Sequence, residues 1–273
     1  MVLSRRSVVY MLLVSILVLM LSPFAWIAIT AFKDPSELRA VPIHWWPHLP
    51  RPENFVDALT TWDYLGYARN SLTIAVIYSV LATLASAWAG YGFARLDAPG
   101  KRVIFGVLLS TMMLPQVMTL IPTYLLFGKI GLLNTYMPWV LWGLAGAPYL
   151  IFLFRQFFTN MPKELEEAAI VDGCGQIRIF WRIFLPQSWP VIATSLILSF
   201  SWTWGDWIAP ALLLDTVRTT LAVQLTVGYQ NAHGGQLNNL VAAGTLIYVV
   251  PVLVLFLILQ RGFVAGISTS GLK

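Results

Sequence analysis

Apolar runs of similar length, each closed by a polar or proline-containing connection, restrict this chain more than any other feature of it. A helix needs about 20 such residues to cross a hydrocarbon core, where every backbone N–H and C=O must be satisfied within the segment. Runs of this kind fall at about residues 8–31, 70–94, 103–127, 137–158, 189–213 and 239–260. They predict an all-α polytopic membrane protein with six transmembrane helices, organised as one transmembrane domain over residues 1–273. Composition agrees, with 58% hydrophobic residues, 11% charged residues and a mean hydropathy of +0.73, far from the usage of soluble domains.

Charge then sets the topology. The net charge of +5 comes from Lys and Arg scattered at the ends of connections, without a reader motif for nucleic acid. Arg95, Lys101 and Arg102 in the 95–102 connection, and Arg155, Lys163, Arg178 and Arg182 in the 155–188 connection, place those two on the cytoplasmic side. Both termini then lie inside with Arg5 and Arg6, and the connections near 128–136 and 214–238 lie outside. The polar stretch after the first run, residues 33–68, is rich in Pro and Trp and is expected on or above the membrane boundary. "SRRSVVYMLL" at the start superficially resembles an export signal, but its apolar run is too long, which predicts an uncleaved first helix. A single cysteine, Cys174, excludes an internal disulfide and a cysteine metal cluster, and reads as a small packing residue.

Inside the membrane, Pro115, Pro122, Pro138 and Pro148 interrupt or begin the middle runs. Kinked helices lining a path and ordinary packing kinks account for them equally well. Between the fourth and fifth runs lies "EAAIVDGCGQIRIFWRIFLP", residues 167–186, too charged to cross. Pro162 suits a helix start, Glu164, Glu166 and Glu167 suit its positive end, and Gly173 supplies a left-handed stop, predicting a short helix over 162–172. A second, amphipathic helix follows, with Ile177, Phe180, Trp181 and Phe184 on one face and Arg178 and Arg182 on the other. Two short helices at an angle form a knob that projects from the membrane.

Glu167, Ala168 and Ala169, then Gly173, then Ile183, Leu185 and Pro186, resemble the EAA loop of ABC importer permeases. The resemblance implies that these residues couple the chain to a separate ATP-binding subunit dimer, which would hold ATP and Mg; no cofactor is expected on this chain. The ending "LQRGFVAGISTSGLK" and "FSWTWGDWIAPALLL" in the fifth run resemble the second permease of maltose-type carbohydrate importers, although Gly205 and Trp207 stand where Asn and Phe are usual there. That likeness implies a related second permease subunit, an extracytoplasmic solute-binding protein, and a sugar or related polyol as cargo. Disaccharides, amino sugars, maltodextrins and glycerol phosphates all fit it.

Asp206 is the clearest ionisable residue inside a predicted span, with Trp202 and Trp204 nearby. A carboxylate and stacking rings would suit a sugar on the substrate path; the reading that the frequency of interfacial Trp favours is that Asp206 satisfies a neighbouring helix while the tryptophans anchor the outer interface. The outer 215–239 connection is long, and its centre, Gly228, Tyr229, Gln230, Asn231, His233, Gly234 and Gly235, has little apolar surface to bury. By composition it reads as a solvent loop, and by the resemblance as a contact for the binding protein. No phosphate loop, nucleophile constellation or metal-ligand spacing is present, so the chain reads as no enzyme. The rival from another class is a stand-alone secondary transporter or channel, which would tend to carry internal repeats and more intramembrane ionisable residues.

Overall fold

A computed structural model of the chain describes residues 5–231 and 234–270. The elements are α1 (Arg5–Ala31), a 3₁₀ turn (Glu37–Arg39), α2 (Glu53–Thr60), α3 (Tyr64–Arg95), α4 (Lys101–Thr111), α5 (Gln116–Lys129), α6 (Met137–Ala145) and α7 (Pro148–Thr159). They continue with α8 (Glu164–Val171), α9 (Gln176–Ile179), a π turn (Phe180–Phe184), α10 (Leu185–Gln187), α11 (Trp189–Gly205), α12 (Ile208–Leu213), α13 (Leu221–Val227) and α14 (Asn238–Ser270). The protein is all-helical. Among the described residues, four helices are long and apolar enough to cross a membrane: Val8–Ala31, Tyr64–Arg95, Met137–Thr159 and Asn238–Arg261. A fifth arises if Gln176–Gln187 and Trp189–Gly205, bent by 79°, count as one.

The expected third run, 103–127, is two helices rather than one. Amides of Met112, Met113 and Leu114 bond three residues back, to Leu109, Ser110 and Thr111, tightening α4 to a stop. Pro115 then sits extended, at φ −60° and ψ 127°, and α5 starts after it. A proline has no N–H to continue the ladder and pushes its predecessor out of the helical region, so the break is written at Pro115. The expected 189–213 run also breaks, at Gly205–Trp207, between α11 and α12.

The chain divides into two compact units. One comprises residues 1–68 and 224–250, the other 69–223 and 251–273. In the first, Ala31, Ala58, Tyr229, Leu240, Ala242 and Ala243 form the buried core. Asn54 stitches it, its Nδ2 donating to the carbonyls of Ala31 (2.8 Å) and Lys33 (2.9 Å) while its Oδ1 accepts from Asn239 (3.1 Å). In this unit Asp34 is held below the usual carboxylate range, first by the backbone N–H and hydroxyl of Ser36 and then by Arg51. In the second unit, glycines bring helix backbones together: a Cβ on Gly90 would lie 2.6 Å from Phe154 Cβ, and one on Gly143 2.8 Å from Leu81 Cβ. Small residues at crossings are how helices approach closely where no solvent drives them together.

Candidate functional site: a two-helix knob and an aromatic cavity

α8 ends as the glycine at 173 requires. Gly173 takes φ +77°, its N–H bonds to Ile170 O (2.9 Å), and Cys174 N–H reaches back to Ala169 O (2.9 Å). This pair of bonds closes the last turn in a Schellman motif, and Cys174 packs with the cluster that contains Ala169, as the motif favours. Glu167 and Ala168 face outward, whereas Ala169 is buried on the aromatic cluster beneath.

The second half of the knob departs from the expected face. Ile177 and Trp181 are exposed, while Ile179, Phe180 and Phe184 are buried, with Ile183 and Leu185 half-buried on the same core. Ile179 is taken by the aromatic core ahead of a π turn, in which Leu185 N–H bonds to Phe180 O, five residues back. Pro186 has no N–H for a four-residue bond, and the wider turn accommodates it. Pro186 itself is exposed. At Ser188, whose hydroxyl donates to Phe184 O (2.5 Å), the chain turns into α11.

What holds the knob was not read from the sequence. Tyr91 and Arg95, four residues apart at the end of α3, carry it. Tyr91 OH donates to Gln176 Oε1 (2.5 Å), and its ring packs edge-on against Phe158 and Phe184. Arg95 Nη2 donates to the carbonyls of Phe158 (2.7 Å) and Met161 (2.5 Å), Nη1 lies 3.8 Å from Glu166, and the guanidinium covers the Phe184 ring at 5.0 Å. The signal was present in "YGFAR": a tyrosine and an arginine on one helix face at the end of an apolar run.

The second unit also carries a half-open cavity of about 640 Å³, lined by residues that include Tyr78, Thr119, Thr123, Trp142, Trp202 and Asp206. Trp202 meets it with its ring edge-to-face on Tyr149. Trp204, the other candidate, turns away: it is buried and stacked on Phe200, a packing residue rather than a lining one. Asp206 has a structural duty as well, since Oδ1 accepts from the N–H groups of Ile208 (3.0 Å) and Ala209 (3.2 Å), with extended backbone at ψ 118°. That is how an Asp caps a helix N-terminus, here α12. Thr119, Thr123, Tyr78 and Trp142 lie on helices whose patterns look like plain spans, and no local signal in the sequence marks them as lining residues.

The 215–239 connection is more structured than its composition suggests. It contains α13, and Tyr229 is fully buried, its ring stacked on Trp62 at 3.6 Å and its OH donating to Ala58 O (2.6 Å). Burial holds the Tyr229 phenol well above its usual range, so it stays a donor. Gly228 is buried at φ +77°, and a Cβ there would lie 2.6 Å from Gln236 Oε1. Both belong to the core of the first unit, not to a contact surface. Gln230, Asn231 and Gly234 are exposed and Gly235 half-exposed in a tight reversal, with Gln230 bridged to Gln236 and Asn231 N–H bonded to Gly235 O (2.9 Å). His233 lies outside the described residues.

Residues 82–268 match the family described as binding-protein-dependent transport system inner membrane component. The chain belongs to this family. It is 34% identical over 92% of its length to the probable ABC transporter permease protein YurM of Bacillus subtilis, covering 83% of that protein. It is also 34% identical to the arabinooligosaccharides transport system permease protein AraQ of Halalkalibacterium halodurans, over 80% of this chain and 77% of that one. The fold matches a bacterial ABC transporter involved in the import of the acidic polysaccharide alginate, with TM-score 0.78 at 19% identity, covering 96% of this chain and 99% of that one. The protein is therefore a multi-pass inner-membrane permease subunit of a binding-protein-dependent ABC importer, a transport component and not an enzyme. The resemblance carried by Glu167–Pro186 is borne out at the level of family.

Proposed function

We propose that the protein is one of two related permease subunits of a saccharide importer, coupled to an ATP-binding subunit dimer through the knob formed by Glu164–Gln187. The observation that carries this reading is the knob itself: a helix with an acidic first turn and a glycine-closed last turn, held on an aromatic core. Glu167 and Ala168 lie on its open face and offer a charge beside a small side chain, which suits seating in a groove. In this reading α4 and α5 together make the third of six crossings, and both termini are cytoplasmic. An ATP-driven movement at the knob would open the path outward, and an extracytoplasmic binding protein would deliver the cargo.

A saccharide fits the cavity, where indole rings can cover apolar sugar faces while threonine and tyrosine hydroxyls and Asp206 meet its hydroxyls. The names of relatives point the same way, arabinooligosaccharides for one and lactose for another. Exposed Gln230, Asn231 and Gly234 are where a binding protein would meet the outer connection in this reading. Co-expression with the candidate ATP-binding subunit tests the assignment: a stable complex is expected, and Glu167→Lys should lower uptake per ATP hydrolysed. Transport by this chain alone in vesicles, driven by an ion gradient, would overturn it.

A further inference from the structure

We propose that α3 is the strut through which movement of the knob reaches the cavity, with Tyr91 and Arg95 as the positioning residues that fasten the knob to it. The inference rests on the assignment of the knob as the ATPase-docking element. α7 and α11, the knob's neighbours in sequence, join it through backbone turns, at Thr159–Lys163 and at the 79° bend by Ser188. To these Phe158 of α7 adds apolar ring contacts with Phe180 and Phe184 but no polar attachment from its side chain. α3 joins it differently. Its side chains grip both short helices at once, Arg95 at the Phe158 carbonyl of α7, the Met161 carbonyl of the following turn and Glu166 of α8, Tyr91 at Gln176 of α9. The Arg95 side chain is 5% exposed. A guanidinium so enclosed holds one geometry, because leaving these partners would strand its charge.

The same helix then runs without a break to the cavity, whereas the other helices around the cavity are interrupted at Met112–Pro115, Gly146–Ala147 and Gly205–Trp207. Along α3, Ser86 Oγ accepts from the Ala147 N–H (3.1 Å) at the interruption between α6 and α7, and Thr83 Oγ1 meets Ser195 Oγ of α11 at 2.9 Å. Tyr78, further along, lines the cavity. From Arg95 to Tyr78 the helix covers about 26 Å at its standard rise. A continuous helix with fixed attachments at one end and hydrogen bonds to two of its broken neighbours passes a displacement on. A hinged connection would absorb it.

Two measurements on the reconstituted full complex test this. Tyr91→Phe keeps the ring packing and removes one hydrogen bond; Ser86→Ala orphans the Ala147 N–H and touches neither the knob nor the ATP-binding subunit. Each hydrogen bond holds an equilibrium about fivefold to one side. Substrate moved per ATP should therefore fall about fivefold in each, with ATP hydrolysis and complex yield unchanged. Arg95→Lys should retain more coupling than Arg95→Met. Unchanged coupling in both Tyr91→Phe and Ser86→Ala, in complexes of normal yield, overturns the proposal.

Spin labels decide the matter if those variants fail to assemble. With Cys174→Ser, labels at Gly92→Cys, around which space is open, and at exposed Ile177→Cys report the distance from α3 to the knob. That distance should be the same in the nucleotide-free and ATP-trapped complexes. A change beyond the width of the label distribution means the knob swings on α3, and the strut is refuted. Failure of the docking assignment looks different: Glu167→Lys would then couple normally, whereas failure of the strut alone leaves Glu167→Lys uncoupled and Ser86→Ala intact.

Discussion

Gly173 offers the sharpest test of how the knob is built. Its φ of +77° is left-handed, and an added Cβ would meet nothing within 4 Å. The penalty for any L side chain is therefore one of backbone conformation, not of collision within this chain. That penalty is about 1–2 kcal/mol for an ordinary residue and smaller for Asn, whose short polar side chain tolerates the conformation. A change of this size shifts a local equilibrium by roughly 5- to 30-fold. The equilibrium is the closed last turn of α8, in which Gly173 and Cys174 donate to Ile170 and Ala169. Opening it releases Ala169 from the aromatic core and misdirects Glu167.

Gly173→Asn, Gly173→Ala and Gly173→Leu should thus form a graded series. Asn should lie nearest the wild type, with Ala well below it. Uptake and ATP hydrolysis in proteoliposomes, beside amide exchange at Cys174, read the series: exchange at Cys174 should quicken by the same factor by which coupling falls. Leu adds nothing to the penalty within this chain, so any further loss from Ala to Leu measures the clearance at the ATP-binding subunit. If Gly173→Ala leaves both coupling and Cys174 exchange at wild-type values, the left-handed turn does not govern coupling, and the reasoning fails.

Glu167→Lys should lower uptake per ATP hydrolysed while the complex still assembles; wild-type coupling would remove the docking role from α8. Asp206→Ala should cost about 1 kcal/mol through loss of the α12 cap, seen as a lower melting temperature, whereas Asp206→Asn keeps a capping oxygen, so uptake lost in the Asn variant alone would expose a need for charge. Tyr229→Ala, which empties a fully buried site, should destabilise by about 3–5 kcal/mol and reduce complex yield; normal yield would contradict its place in the core. Replacing 231–235 by a tight turn leaves Tyr229 in place and should weaken stimulation of ATP hydrolysis by the loaded binding protein, and unchanged stimulation would free that reversal of any role. A membrane-impermeant maleimide should leave Cys174 unlabelled in intact cells and label it after denaturation, and labelling before permeabilisation would invert the topology.

The legible parts of this chain were those decided locally. Apolar run length located α1, α3, α14 and the α6–α7 segment, and the Glu164–Gly173 pattern located α8 and its stop, because each depends on residues within a few turns of one another. The third run misled because hydropathy is additive while a helix is not: one missing N–H at Pro115 divides an otherwise uniform run. The amphipathic face of 176–186 misled because regular spacing groups Ile177 and Trp181 with Phe180 and Phe184, whereas the aromatic core takes Ile179 in their place and a π turn widens the helix from Phe180 onward. Tyr229 and Trp204 carry a further point. Each stands in a polar or aromatic segment that invites a binding role, yet Tyr229 is claimed by the distant Trp62 and Ala58, and Trp204 by Phe200 one turn back on its own helix. Burial of a large aromatic ring is worth more than any contact its neighbours in sequence can offer, so residues drawn into a core across long separations escape local reading. Tyr91 and Arg95 escaped it in the opposite direction: they looked like the ordinary polar end of a span, and only the fold brings 85 residues of separation down to the 2.5 Å between Tyr91 and Gln176.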